Sequence, residues 1–256
     1  VSGESDVFSV RGKRALVVGG TRGIGRAIAW RLAAEGAHVW ANYVRDQAHA
    51  DLLAREAAAA HLALEVVRAD VTSAKGIDQI ADIARGAAAP LSIVVFAAAT
   101  GVHKTLEHLT TRHFDWTFAL NVRAFFDLVQ RLSPLMPSGS SIVAVSSEGA
   151  THAVSHYSLV GASKGALESL ARHTAAELAP KGIRVNILSP GTVLTDAWKV
   201  LPDAESRLAE ASRRSFLGRL TTLEEVASAA QFLCSDASSG LVGHTLVVDG
   251  GARMRG

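Results

Sequence analysis

The chain has 256 residues, 48% of them hydrophobic and 20% charged, which supplies a sizeable core and excludes a disordered chain. A net charge of +2 with no long basic block argues against nucleic acid as the main partner. A single cysteine, Cys234, excludes a disulfide framework and suits a reducing cytoplasm; no apolar run is long enough for a membrane span, and the ten histidines form no HExxH or Cys/His cluster, so no metal is expected.

Residues 1–9 lack the basic-then-apolar order of a signal peptide and read as a disordered lead-in, with one domain over 10–256. Short apolar runs follow at 14–18, 38–43, 64–69, 91–97, 141–145, 183–188 and 244–248. Between them lie longer segments with helical spacing, such as Ile24, Ile28 and Leu32. Near-continuous apolar strands are expected where helices cover both faces of a sheet. Strand-helix alternation implies right-handed crossovers. The predicted fold is therefore α/β: a single-domain, Rossmann-like, doubly wound fold whose seven-stranded parallel sheet has helices on both faces.

After the first strand comes GGTRGIG, residues 19–25, and then a helix. Glycines permit a tight turn and close backbone approach, and a helix N-terminus offers amides to a phosphate. The spacing of Gly19, Gly23 and Gly25 differs from G-x-G-x-x-G but serves the same physics, and the candidate loop comprises Gly19, Thr21, Arg22, Gly23, Ile24 and Gly25. The second strand ends with Tyr43 where an NAD site usually has an acid, and Arg22 and Arg45 could reach a 2′-phosphate. This favours NADP(H) over NAD, with Asp46 read as the cap of the next helix. Asp70, followed by Val71, ends the third strand, where a carboxylate could accept the adenine amino group or simply form a turn.

Seven pieces now stand in order: GGTRGIG at 19–25, ADV at 69–71, LNV at 120–122, VSS at 145–147, YSLVGASK at 157–164, RVNILSPGTVLTD at 184–196 and VVDGG at 247–251. Together they make the chain similar to the short-chain dehydrogenase/reductases over nearly its full length. The resemblance implies that Asn121 orders a water or the lysine, that Ser147 lies near the substrate and that Lys164 holds the nicotinamide ribose. It places Ala97 and Ala98 beside the cofactor, gives the backbone at Pro190, Gly191 and Val193 to the carboxamide, and sets Thr195 nearby. It further implies a substrate lid over 196–214 and a homotetramer joined in part by the last strand.

Three departures stand out. Val18 replaces the usual Thr, Phe96-Ala97-Ala98-Ala99 replaces the usual Asn-Asn-Ala-Gly, and Val160 stands where the tyrosine normally precedes the lysine by four. Tyr157, seven before Lys164, resembles the NADPH-dependent enoyl-acyl-carrier-protein reductase branch, as do AATG at 98–101 and FDWTFALN at 114–121. Seven residues span about 10 Å of helix against about 6 Å for four. That offset suits hydride delivery to a β-carbon with the oxygen three bonds away, where Tyr157 would stabilise the enolate and Lys164 would lower its pKa. The expected activity is reduction of a 2-enoyl thioester on CoA or a carrier protein, of fatty-acid or polyketide type. The alternatives are a carbonyl reductase of the same family and a non-catalytic NADP-binding regulator.

Overall fold

A computed structural model describes residues 6–195 and 204–254. Seven strands, β1 (Arg14–Val18), β2 (His38–Tyr43), β3 (Leu64–Arg68), β4 (Leu91–Phe96), β5 (Ser141–Val145), β6 (Arg184–Pro190) and β7 (Thr245–Val248), form one sheet in the order β3-β2-β1-β4-β5-β6-β7. Every pairing is parallel. The strand positions match those expected, with β6 extended because Ser189 and Pro190 pair with Val247 and Val248.

Side-chain alternation along the strands divides the core in two. Leu16 and Val18 of β1 face one layer, which includes Ile77 and Ile80 of α3 (Ala74–Arg85), Phe125 and Leu128 of α5 (Ala124–Leu132), and Leu167 and Ala171 of α6 (Ser158–Leu178). Phe96 and Phe125 meet edge-on there, with ring centroids 5.6 Å apart. Ala15 and Val17 face the other layer, with Ile28 and Leu32 of α1 (Gly23–Ala34), Leu53 of α2 (Gln47–Ala59), and Val226 and Leu233 of α8 (Leu223–Cys234). The remaining helices are α4 (Thr111–Phe118) and α7 (Ala204–Arg214).

Residues 6–9, expected within a disordered lead-in, instead pack on α8 and its end. Phe8 meets the Phe232 ring and its carbonyl accepts from Gln231, while the Val7 carbonyl accepts from the Ala237 amide. An apolar ring next to a helix buries surface that the sequence reading had left in water. Among the described residues no helix is long and apolar enough to cross a membrane.

Strand order reverses at β1, whose neighbours are β2 and β4. In open α/β sheets a ligand crevice opens at such a point, outside the carboxyl ends of the strands. The turns after β1, β4, β5 and β6 all emerge on that edge, and they carry the candidate residues.

Candidate active site

Gly19 and Gly23 have left-handed backbone, φ 73° and 53°, which glycine adopts without steric cost. A Cβ on Gly19 would lie 2.8 Å from the Ala98 Cα, and one on Gly25 would strike the Gly19 carbonyl. Glycine therefore lets the turn, the start of α1 and the loop after β4 meet backbone to backbone, and the Ala97 amide donates to the Val18 carbonyl at 3.0 Å. Arg22 is the N-cap of α1 but supplies no side-chain cap, and the first turn holds no acid. Thr21 is buried in the turn and Ile24 is half-buried. A backbone cradle that any Cβ would fill, set at an uncapped helix N-terminus, fits the pyrophosphate of a dinucleotide.

At the end of β2 the Tyr43 ring is buried, and its hydroxyl donates to Gln47 Oε1 at 2.8 Å. Arg22 and Arg45 are exposed at this corner, and the charge of Arg22 is felt at Asp46. Asp46 caps α2, accepting the His49 amide at 3.2 Å, and His49 chiefly holds its carboxyl below the ordinary range. Asp70 is exposed and forms a turn, its Oδ1 accepting the Thr72 amide at 2.9 Å and the Thr72 hydroxyl at 2.7 Å, while Val71 is buried.

Ser147 follows β5, and Tyr157 immediately precedes α6. The Tyr157 hydroxyl donates to Ser147 Oγ at 3.3 Å. The ring packs against Gly149, where a Cβ would be 2.5 Å from two ring carbons, and the His103 ring packs against it with centroids 5.3 Å apart. His156, one residue before, adopts a left-handed φ of 57°, uncommon outside glycine. Burial pushes the phenol pKa up, the Ser147 bond opposes that, and the Glu148 charge adds to it.

Lys164 is buried, and its Nζ donates to the Val145 carbonyl at 2.8 Å. Burial pushes its ammonium down to about 8, with Glu168 opposing. The expectation that Lys164 lowers the Tyr157 pKa is corrected here. The ammonium is turned to a strand carbonyl, and desolvation governs the phenol.

Asn121 sits fully buried in a π-helical turn between α4 and α5. Its Nδ2 donates to the Thr100 carbonyl and to Ser163 Oγ, and its Oδ1 accepts the Thr100 amide, each at 2.9 Å. It ties the loop after β4 to α6; of the two partners expected for it, a water or the lysine, it makes no bond to the lysine among the described residues. Pro190 ends β6, the Gly191 amide donates to the Val248 carbonyl at 2.8 Å, and buried Val193 bridges to Thr221. Thr195 comes within 3.6 Å of where a Gly23 Cβ would stand, so the segment after β6 meets the glycine turn. Of the expected lid, 196–203 lies outside the described residues. The remainder is α7, whose Arg214 comes within 3.6 Å of Glu148 in the turn after β5.

Sequence reasoning missed Ser146, Glu168, Ser163, Gly149 and His103. Glu168 had left a trace: it stands four after Lys164, on the buried side of α6 with Leu167 and Ala171. His103 left none, because nothing in its spacing brings it to Tyr157.

The family model described as "Enoyl-(Acyl carrier protein) reductase" matches residues 18–253. The chain is 34% identical to a 1-cyclohexenylcarbonyl-CoA reductase of Streptomyces collinus over 92% of this chain and 85% of that protein. It is 35% identical to an L-xylulose reductase of Bos taurus, over 94% of this chain and 96% of that one. The solved structure of a gluconate 5-dehydrogenase from Burkholderia cenocepacia J2315, in complex with NADP and tartrate, superposes with a TM-score of 0.90 at 28% identity, covering 97% of this chain and 98% of that one. With seven parallel strands, a glycine turn at the sheet's switch point and these likenesses over nearly its whole length, the chain belongs to the short-chain dehydrogenase/reductase superfamily of oxidoreductases.

Proposed function

We propose that the protein is an NADPH-dependent reductase of 2-enoyl thioesters. The observation that carries this reading is the offset of the phenol from the lysine. The position four before Lys164 is Val160, which is buried and packed so closely on Gly101 that a Cβ there would strike it. The phenol comes instead from Tyr157, before the first turn of α6. When bound, the reduced nicotinamide supplies the hydride. Tyr157 donates to the substrate oxygen three bonds from the carbon attacked, Ser147 orients the phenol, and Lys164 holds the ribose. The glycine turn, with Thr21 and Ile24, takes the pyrophosphate; Asp70 and Val71 flank the adenine; Ala97, Ala98 and the Pro190–Thr195 segment border the nicotinamide; α7 covers the substrate. The thioester class draws support from the matching family model and from the relative named a CoA reductase. NADPH draws support from Arg22 and Arg45 at the end of β2 and from NADP in the neighbouring structure.

Carbonyl reduction is the second reading. The 3.3 Å contact between Tyr157 and Ser147 favours it, since two hydroxyls on one substrate oxygen suit a carbonyl. NADPH oxidation on matched panels of 2-enoyl and 3-oxo thioesters separates the two. Turnover of the enoyl members is expected, and turnover of the 3-oxo members alone would overturn the first reading. A homotetramer completes the proposal. Val247 on edge strand β7 and the aromatic Phe114, Trp116 and Phe126 on α4 and α5 are exposed, and a bare apolar strand edge invites pairing. A stable monomer by light scattering at micromolar concentration would count against it.

A further inference from the structure

Two consecutive residues at the end of β5 each engage one charged residue of α6. The Val145 carbonyl accepts from Lys164 Nζ at 2.8 Å, and the Ser146 hydroxyl donates to Glu168 Oε1 at 2.6 Å. Lys164 and Glu168 stand four apart, one turn along the same helix face. Lys164 is 3% exposed and Glu168 4%. A buried charge without compensation is costly, and such a group ordinarily gives up its charge. The only acceptor bonded to Lys164 among the described residues is a neutral carbonyl. Glu168 has a second neighbour, Arg172, at 3.7 Å, but that side chain is half in solvent and pairs weakly.

We propose that Glu168 is a positioning residue for Lys164: its carboxylate, fixed by Ser146, keeps the buried lysine charged and aimed along the end of β5. This rests on the reading of Lys164 as the residue that holds the cofactor ribose. Among the described residues, Glu168 is the charge that acts on the Lys164 ammonium. Strand β5 presents a carbonyl and a hydroxyl there. In the turn after it, Glu148 faces Arg214 and acts on Tyr157 instead. Burial alone drives the ammonium toward neutrality, and Glu168 is the group that opposes this. Without the carboxylate, the lysine would lose its proton near neutral pH and become a weaker donor to a ribose oxygen.

The test follows the Lys164 ¹³Cε resonance through pH in the whole chain, with the signal assigned by its loss in Lys164→Arg. The midpoint is expected near 8 in the parent protein. Glu168→Gln keeps the shape and removes the charge, and it is expected to lower the midpoint by about one pH unit or more. Ser146→Ala, which only loosens the carboxylate, shifts it less in the same direction. The alkaline fall in NADPH affinity moves with the midpoint, so a one-unit shift makes Glu168→Gln bind NADPH about fivefold more weakly at pH 8 and nearly normally at pH 6. Lower thermal stability at every pH with an unmoved midpoint overturns the proposal and leaves Glu168 a packing residue. If Glu168→Gln does not fold, Ser146→Ala carries the same titration, and an unmoved midpoint there overturns the proposal too. Lys164→Ala separates the two levels. Unchanged NADPH affinity in that variant sinks the ribose reading, while a shifted midpoint in Glu168→Gln still upholds the pairing.

Discussion

The turn after β1 and the junction of β5 with α6 lie on the same edge of the sheet but are held by different forces. At the first, the shape comes from backbone. Gly19 and Gly25 let carbonyls and Cα atoms approach where no side chain fits. At the second, buried and half-buried polar side chains are matched to specific partners: Tyr157 to Ser147, Lys164 to the Val145 carbonyl, Glu168 to Ser146, and Asn121 to Thr100 and Ser163. A steric site should fail abruptly when an atom is added. An electrostatic one should respond in graded fashion, with pH.

The sharpest break is Gly25→Ala, whose added methyl group meets the Gly19 carbonyl. It should cost about 3 kcal/mol or more and abolish dinucleotide binding. Gly139→Ala is the control: its φ of 86° is also left-handed but nothing lies within 4 Å, so only the backbone cost of about 1 kcal/mol is expected. Thermal unfolding with and without NADPH measures both, and equal losses would erase the contrast.

Lys164→Met probes the electrostatic region through stability. The ammonium titrates near 8 in the folded protein against 10.5 in its ordinary state. Between those values the unfolded chain holds a proton that the folded chain releases, so the parent protein should gain stability as pH rises through that window, by up to about 3 kcal/mol. The Met variant should lack this slope and be more stable than the parent at pH 7, while losing turnover. Urea unfolding at pH 7, 8, 9 and 10 reads it out, and parallel profiles for the two proteins would contradict it.

Tyr157→Phe keeps the ring on Gly149 and removes one donor. Turnover should fall roughly a hundredfold with the fold and NADPH affinity unchanged. Ser147→Ala should cost much less if the enoyl bond is reduced and about as much if a carbonyl is, so the ratio of the two losses sharpens the functional proposal. An intact rate in Tyr157→Phe on every active substrate would remove the tyrosine from the mechanism. The smallest expected effect returns to the cofactor corner. Arg22→Ala and Arg45→Ala should each lower the preference for NADPH over NADH about tenfold, the scale of one charge-assisted bond. Equal affinity for both cofactors in parent and variants would refute the 2′-phosphate assignment.

By itself the sequence determined the seven strands, their alternation with helices, the glycine turn and the Tyr157/Lys164 spacing. These depend on local rules: strand burial imposes runs such as LSIVVF, φ > 0 demands glycine at 19 and 23, and helical rise fixes how far Lys164 lies from the start of α6, where Tyr157 is the N-cap. The pairing of polar groups was beyond it. Asn121 was expected to order a water or the lysine, and its side chain is bound to Thr100 and Ser163; Lys164 was expected to act on Tyr157 and donates to Val145; Phe8 was expected in a loose lead-in and lies on Phe232. In each case several partners lie within reach of one side chain. The choice among them is made by which groups the packed sheet and helices remove from water together, and only the tertiary structure sets that, because the cost of an unpaired buried polar group falls on whichever neighbour is left.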